Sequence, residues 1–591
     1  MNLYRLIGGF AVRHWRAYVL SAMMLVGVAV LTVWIPRQVG QIIDGLIADS
    51  AQAPGGALWR QIAVLLAMGA AIYILRVGWR LQLFSAAYRL GVELRRRLYE
   101  KLSLQGPPYF NRQKTGDLMA RATNDVDAIE MAAGEAFLAA FDGSLTLVLV
   151  VAMMTLGIDW RLGLVALLPF PFMAFSFWVI SRRVHDAWRE SLDRFSTLNE
   201  HVQETVAGVR TLRALGLEAR AAQEFAARAK AAADSSFDAQ RWESAYEPAV
   251  GLTLTLATAL TLAVGGWFVW HGEMTIGQLT AFTMYLGQLI WPMFAAGWVL
   301  SLIERGKAGW TRLRSILDAP LLIQDHGQQA QTPSGAISFD RVSFAYPAAE
   351  APSDNASAAP FALRDISVEV EPGRTLGIVG PTGAGKSTLL YLLLRHYTPD
   401  AGDIRWGGQA LAEYTLAALR SGISWVPQEA FLFGASIAEN IALAAPQATR
   451  AAIEHAAQLA ALHDDVLRLP DGYDTAVGEK GVTLSGGQRQ RVAIARALLA
   501  DQPLLLLDDA LSAVDTGTET RILDHLRAAR AGRTAIIVSH RLSAVVEADH
   551  IIALKAGRIV ERGSHEELLR LNGWYAAQWR YQQLEASLEE A

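Results

Sequence analysis

The sequence predicts two folds in one chain: an α-helical membrane domain with six transmembrane helices, then an α/β domain of the P-loop class. Three observations predict it. Six long uncharged runs all fall before Glu304, a Gly-x-x-x-x-Gly-Lys-Ser run occupies Gly380 to Ser387, and apolar runs at Leu376 to Val379, Leu504 to Leu507 and Ile536 to Val538 have the length of buried strands. Composition agrees: 591 residues exceed one ordinary domain, and 52% hydrophobic residues imply much surface in lipid. A formal net charge of -4 provides no basic field for nucleic acid, so nucleic-acid partners are not expected. The chain has no cysteine, which excludes disulfides, thiolate metal sites and a cysteine-protease domain.

Residues 1–15 mix Arg5 and Arg13 with Leu3, Leu6, Ile7 and Phe10, a pattern that predicts an amphipathic elbow lying in the membrane interface. No small-residue cleavage pattern follows at signal-peptide distance, so the next apolar run is read as a retained span. The expected spans are Ala17 to Ile35, Gln61 to Leu75, Gly143 to Ile158, Leu162 to Ser181, Pro248 to Trp270 and Met274 to Ile303. A bilayer core requires about 20 apolar residues, so the second and third must recruit neighbours such as Arg76 and Asp142. Basic residues crowd between spans two and three (Arg95, Arg96, Arg97) and between four and five (Arg182, Arg183, Arg210), which puts those segments on the cytoplasmic side. Leu90, Leu94, Leu98 and Leu102 recur once per turn and predict a helix continuing out of the membrane. Pro107 and Pro108 break it, a short transverse helix is expected after them, and the second segment is expected to turn near Gly208 and Gly216. Residues 16–317 thus form the membrane domain, with Arg76, Arg80, Tyr285, Gln288 and Trp291 as candidate cavity residues.

Residues 318–335, with Pro320, Gly327 and Pro333, read as a linker. The α/β domain is expected over 336–575 and a helical tail over 576–591. It opens with an alternating strand, Ile337 to Tyr346, and the Ala-, Pro- and Ser-rich Ala348 to Pro360 reads as a hairpin insertion of unassigned role. At the phosphate loop, Gly380, Gly383 and Gly385 let backbone N–H groups at Thr382, Ala384 and Thr388 approach phosphate oxygens, with Lys386 on the β- and γ-phosphates and Ser387 on Mg²⁺. Tyr346 is positioned to stack on adenine. Gln428 offers an amide to metal and attacking water. Asp508 ends an apolar strand and holds Mg²⁺ through water, and His540 ends another and contacts the γ-phosphate.

A second motif narrows the class. Leu484-Ser485-Gly486-Gly487-Gln488 stands between the phosphate loop and Asp508, and with TGDLMARATND at Thr115 to Asp125 and LDDALSAVD at Leu507 to Asp515 the chain resembles, over nearly its full length, the ATP-binding cassette exporters of bacteria. The resemblance implies an exporter-type membrane domain in the inner membrane, a cytoplasmic cassette that hydrolyses ATP with Mg²⁺, export of a small amphipathic or drug-like molecule, and a dimer. In that dimer Ser485, Gly486, Gly487 and Gln488 cap the nucleotide of the other cassette, and Asp515 lies at the seam. One departure matters: Asp509 stands where hydrolytic members of the family carry the Glu that polarises the attacking water. An Asp there predicts slow chemistry and a heterodimer with a second half-transporter that carries Glu. A homodimeric exporter, an ATP-binding regulatory subunit and an importer on the exporter fold remain open at this point.

Overall fold

The computed structural model describes residues 2–48, 56–347, 361–478, 484–511, 516–529 and 532–589. The expected Ala348 to Pro360 insertion and Asp515 lie outside the described residues. Two compact units emerge, one of residues 1–103 with 116–319, the other of residues 104–115 with 320–591.

Among the described residues the first unit consists of helices and their connecting turns, with no strand. Leu3–Arg13 buries Leu3, Leu6 and Phe10, one apolar stripe at helical spacing, and leaves its arginines outside. Among the described residues six helices long and apolar enough to cross a membrane follow: Trp15–Ile47, Leu58–Ser103, Thr115–Thr155, Trp160–Ala207, Glu218–Trp270 and Ile276–Leu317. The second has 46 residues, about 69 Å at 1.5 Å per residue, roughly twice what a bilayer core requires. Its extra length is the cytoplasmic extension that the leucine stripe predicts, and Leu90, Leu94 and Leu98 are all buried. The short runs thus extend through Arg76 and Asp142, as length demands.

The outer turns are capped by side chains. Asp159 accepts from the backbone N–H of Arg161 and Leu162, and Thr275 with Gln278 forms a capping box. Asp44 of the first span accepts from Gly277 N at 2.8 Å and Thr275 Oγ1 at 2.7 Å, while a Cβ on Gly277 would lie 2.0 Å from Gly40 O. Glycine is therefore obligatory where spans one and six touch. On the cytoplasmic side Gly208 caps one helix and Gly216, at φ +64°, admits the next. Buried Asp125 there receives a two-pronged bond from Arg312 at 2.9 and 2.5 Å, tying spans three and six.

In the second unit the strands are β1 (Ile337–Phe344), β2 (Leu363–Val370), β3 (Thr375–Val379), β4 (Ala401–Trp406), β5 (Gln409–Ala410), β6 (Ile423–Val426), β7 (Leu504–Asp508), β8 (Thr534–Val538), β9 (His550–Lys555) and β10 (Arg558–Gly563). An antiparallel sheet runs β2-β1-β4-β5, and a largely parallel one runs β10-β9-β3-β8-β7-β6. Every residue of β3, β7 and β8 is buried, because a parallel sheet covered on both faces needs no polar alternation. Residues 104–115 join this unit: Gln105 donates to Pro320 O at 3.2 Å and Asn111 to the Tyr397 hydroxyl at 3.2 Å. The single transverse helix expected after the prolines is two short pieces, Pro107–Phe110 and Thr115–Ala120, parted by the turn at Asn111. The C-terminal helix, Trp574–Glu589, starts two residues before the expected tail and buries Tyr575 and Ala576.

Candidate functional site

Strand order assembles the site. With β3, β8, β7 and β6 adjacent and parallel, the loops leaving their C-terminal ends lie side by side, the usual ligand position in open α/β sheets. They carry respectively the phosphate loop, His540, Asp508 with Asp509, and Gln428. Together with Tyr346 they line one cavity of about 590 Å³ that takes in Thr382 through Thr388.

The phosphate loop needs its glycines. Gly380 and Gly385 have φ of +151° and +98°, and a Cβ on either would meet the backbone oxygen of Leu554 or Ala362 at 2.2 or 2.5 Å. Gly385 then opens the helix Lys386–Leu393, whose N-terminal amides face the loop. Lys386 Nζ curls over it, donating to Gly380 O at 2.9 Å and Pro381 O at 3.2 Å. Burial lowers the Lys386 pKa, against the pull of Asp509 and Asp508. A phosphate would restore the charge balance.

Ser387 Oγ donates to Asp508 Oδ1 at 2.7 Å. Asp508 is fully buried, its pKa is raised by burial, and its Oδ2 has no hydrogen-bond partner. A buried carboxylate oxygen left bare beside a hydroxyl is costly in isolation and suits a hard cation. Tyr346 is only partly exposed. Its hydroxyl bonds to Thr388 Oγ1 at 3.0 Å, and its ring is held edge-on by Phe344 and Tyr397 at 5.0 and 5.2 Å.

Asp509 and His540 meet directly, with Oδ1 2.6 Å from Nδ1. Asp509 sits at φ +50° with its N–H on Val538 O at 2.9 Å, so its backbone is fixed and its reach depends on side-chain length. Gln428 is exposed at the cavity wall, and buried Gln490 donates to the neighbouring Pro427 O at 3.0 Å. Sequence reading missed Gln490, because a lone glutamine two residues past Gln488 gives no signal until the fold brings it under Pro427.

The signature residues lie elsewhere. Ser485 caps the helix Gly486–Ala500, its Oγ accepting from Gln488 N and its N–H donating to the Gln488 side chain. Ser485 and Gly486 are exposed, and none of the four lines the cavity. Leu484 is buried behind them.

In the membrane unit, Arg76, Arg80 and Trp291 line a cavity of about 820 Å³ with Trp79, Glu135, Asp142 and Trp298. Tyr285 and Gln288 do not. Tyr285 is fully buried with its hydroxyl on Val33 O at 2.8 Å, and Gln288 donates to Thr32 O at 3.1 Å, so both serve to pack span six on span one.

The family models for the ABC transporter transmembrane region and for the ABC transporter match residues 18–293 and 363–512. The chain is 42% identical over 591 residues to the multidrug resistance-like ATP-binding protein MdlA of Escherichia coli, covering 100% of this chain and 98% of that protein. It is 37% identical over 584 residues to the probable multidrug resistance ABC transporter YheI of Bacillus subtilis (99% and 98% covered), and 33% identical over 588 residues to the ATP-dependent lipid A-core flippase of Alkalilimnicola ehrlichii (98% and 97%). A solved bacterial Atm1-family ABC exporter with ATP bound superposes with a TM-score of 0.77 at 28% identity, over 96% of this chain and 98% of that one. With six membrane helices and one ATP-binding cassette that couples ATP hydrolysis to transport, the chain belongs to the ATP-binding cassette exporters, as a half-transporter that works as a dimer.

Proposed function

We propose that this half-transporter pairs with a different second half and exports a small amphipathic molecule, its own nucleotide site holding ATP and turning over slowly. The observation that carries the reading is Asp509. Its carboxylate is spent at 2.6 Å on His540, and it is one methylene shorter than the Glu that activates water in hydrolytic relatives. Binding is spared, since the phosphate loop and Asp508 are independent of that length. Mg²⁺ fits the orphaned Asp508 oxygen, with Ser387 and Gln428 as further ligands, and when bound it would neutralise charge developing on the phosphates. Tyr346 positions the base, Lys386 the β- and γ-phosphates, and His540 the γ-phosphate.

Closure of two cassettes over ATP would reorient the membrane helices through segments such as 104–115, opening the cavity to the other side. That cavity supports an amphipathic cargo: Trp79, Trp291 and Trp298 offer apolar faces beside Arg76, Arg80, Glu135 and Asp142. The multidrug and lipid-flippase names of the relatives point the same way. Measuring phosphate release from this chain alone and with a partner carrying Glu tests the reading. Brisk release alone would favour the second reading, a homodimer in which the Asp509–His540 pair serves as an adequate base.

A further inference from the structure

We infer that Gln582, on the C-terminal helix, is a positioning residue for the ATP site that acts through His540. This rests on the assignment of His540 and Asp509 to the reacting end of ATP.

The segment leaving β8 is extended, with Arg541 at φ -89° and ψ 119° before the turn Leu542–Val545. Extended backbone presents the C=O of one residue and the N–H of the residue two further on to the same side. A neighbouring strand would normally pair with both. Here the Gln582 amide does so: Nε2 donates to His540 O at 2.8 Å and Oε1 accepts from Leu542 N at 2.9 Å. An amide side chain is suited to this because it offers one donor and one acceptor at the spacing of a peptide group. The bond lands on the backbone of the residue whose ring meets Asp509 at 2.6 Å.

The rest of the helix makes Gln582 a fixed strut. The Glu561 carboxylate accepts from Trp574 N and Tyr575 N at 2.5 and 3.0 Å, capping the helix start. Tyr575 is fully buried with its hydroxyl 2.8 Å from His565, and Trp579 packs on the core. Tyr575, Trp579 and Gln582 stand at i, i+4 and i+7, so one face carries anchors and clamp together. The other hold on the segment is separate: buried Glu519 accepts from Ser543 Oγ at 2.9 Å and pairs with Arg541. That contact fixes the far end of the segment. Asp509 holds the other side of His540, at the ring and, at 3.4 Å, at the backbone N–H, so among the contacts described Gln582 is the side chain that grips the His540 carbonyl.

The test uses the full-length chain in lipid nanodiscs as the dimer it forms, with Gln582→Ala and the near-isosteric Gln582→Glu, each also in a His540→Ala background. Glu keeps the acceptor for Leu542 N but has no hydrogen for His540 O. Single-turnover phosphate release is expected to fall about tenfold in both variants, with KM for ATP within about twofold, since misplacement on the ångström scale costs rate rather than binding. Amide exchange in 539–543 should quicken, and in the His540→Ala background Gln582→Ala should add less than about twofold. Release unchanged in the Gln582 variants while His540→Ala slows it would overturn the clamp alone. Release unchanged by His540→Ala would instead overturn the site assignment and the clamp with it. Equal losses with and without His540, or unaltered exchange, would also refute action through that residue.

Discussion

Replacing Asp509 by Glu should accelerate this chain's own ATP site. The backbone at 509 is pinned by its N–H on Val538 O at 2.9 Å, so added length projects the carboxylate outward by roughly an ångström rather than shifting the strand end. Recovering a misplacement of that size is worth up to about 10²-fold, or roughly 2.7 kcal/mol of barrier, and a tenfold to hundredfold rise in turnover is the expected outcome. A cost accompanies it. Asp509 lies in the left-handed region at φ +50°, which Asp tolerates better than Glu, so a stability loss of about 1 kcal/mol is expected alongside. The assay is radiolabelled phosphate release from reconstituted full-length protein, with calorimetry on the same samples. Unchanged or slower turnover in Asp509→Glu, with folding and ATP binding intact, would refute the argument that side-chain length limits the chemistry.

His396 is partly buried beside Trp425 at 5.6 Å, and desolvation, reinforced by Arg420, lowers its pKa to about 4 from an ordinary 6.5. Between those values the unfolded chain binds the extra proton, so the contribution to stability is complete above pH 6.5 and is lost as pH falls toward 4. It should amount to roughly 2–3 kcal/mol, and calorimetry between pH 7.5 and 4.5 should show a flatter slope in His396→Gln. Gly277→Ala forces a Cβ to within 2.0 Å of Gly40 O, and the melting temperature of the detergent-solubilised protein should drop by several degrees, a loss of about 1–3 kcal/mol. In a heterodimer, Ser485→Arg should abolish most ATP turnover because that signature completes the partner's faster site, whereas Lys386→Ala should leave the larger part. Transport wholly insensitive to both substitutions would favour the regulatory-subunit reading.

Much of this was legible because local chemistry and fold agree. A buried parallel strand needs an unbroken apolar run, and β3, β7 and β8 each have one, so the sequence alone places the residues following them at one sheet edge. Membrane helices are equally plain, since hydrocarbon allows few alternatives to a long apolar helix. What stayed hidden depends on tertiary approach. Tyr285 and Gln288 look like polar side chains awaiting a ligand, yet both are consumed by backbone carbonyls of span one, a pairing that no periodicity encodes. Gln490 and Gln582 show the converse, as unremarkable glutamines whose amides become anchors only when helices distant in sequence are packed against the loops after β6 and β8.

The charge layout of the cavity argues for the second subunit from another direction. Asp508 and Asp509 bring two carboxylates to a pocket in which Lys386 is the one cationic side chain on the phosphate loop, and a triphosphate adds further negative charge. A magnesium ion offsets part of this. The amides of the phosphate loop and of the start of the helix Lys386–Leu393 offset more, and a second helix N-terminus would add donors that carry no side-chain charge. The start of the helix Gly486–Ala500 has that character: it is exposed, it begins with two glycines, and Ser485 satisfies Gln488 N while the amides before it have no intrahelical acceptor. Within one chain that helix end does not line the cavity, which supports the proposal that it serves the nucleotide of another cassette. On that proposal a chain can lose speed at Asp509 and remain fully useful to its partner, because the carboxylate and the helix end would belong to two different sites.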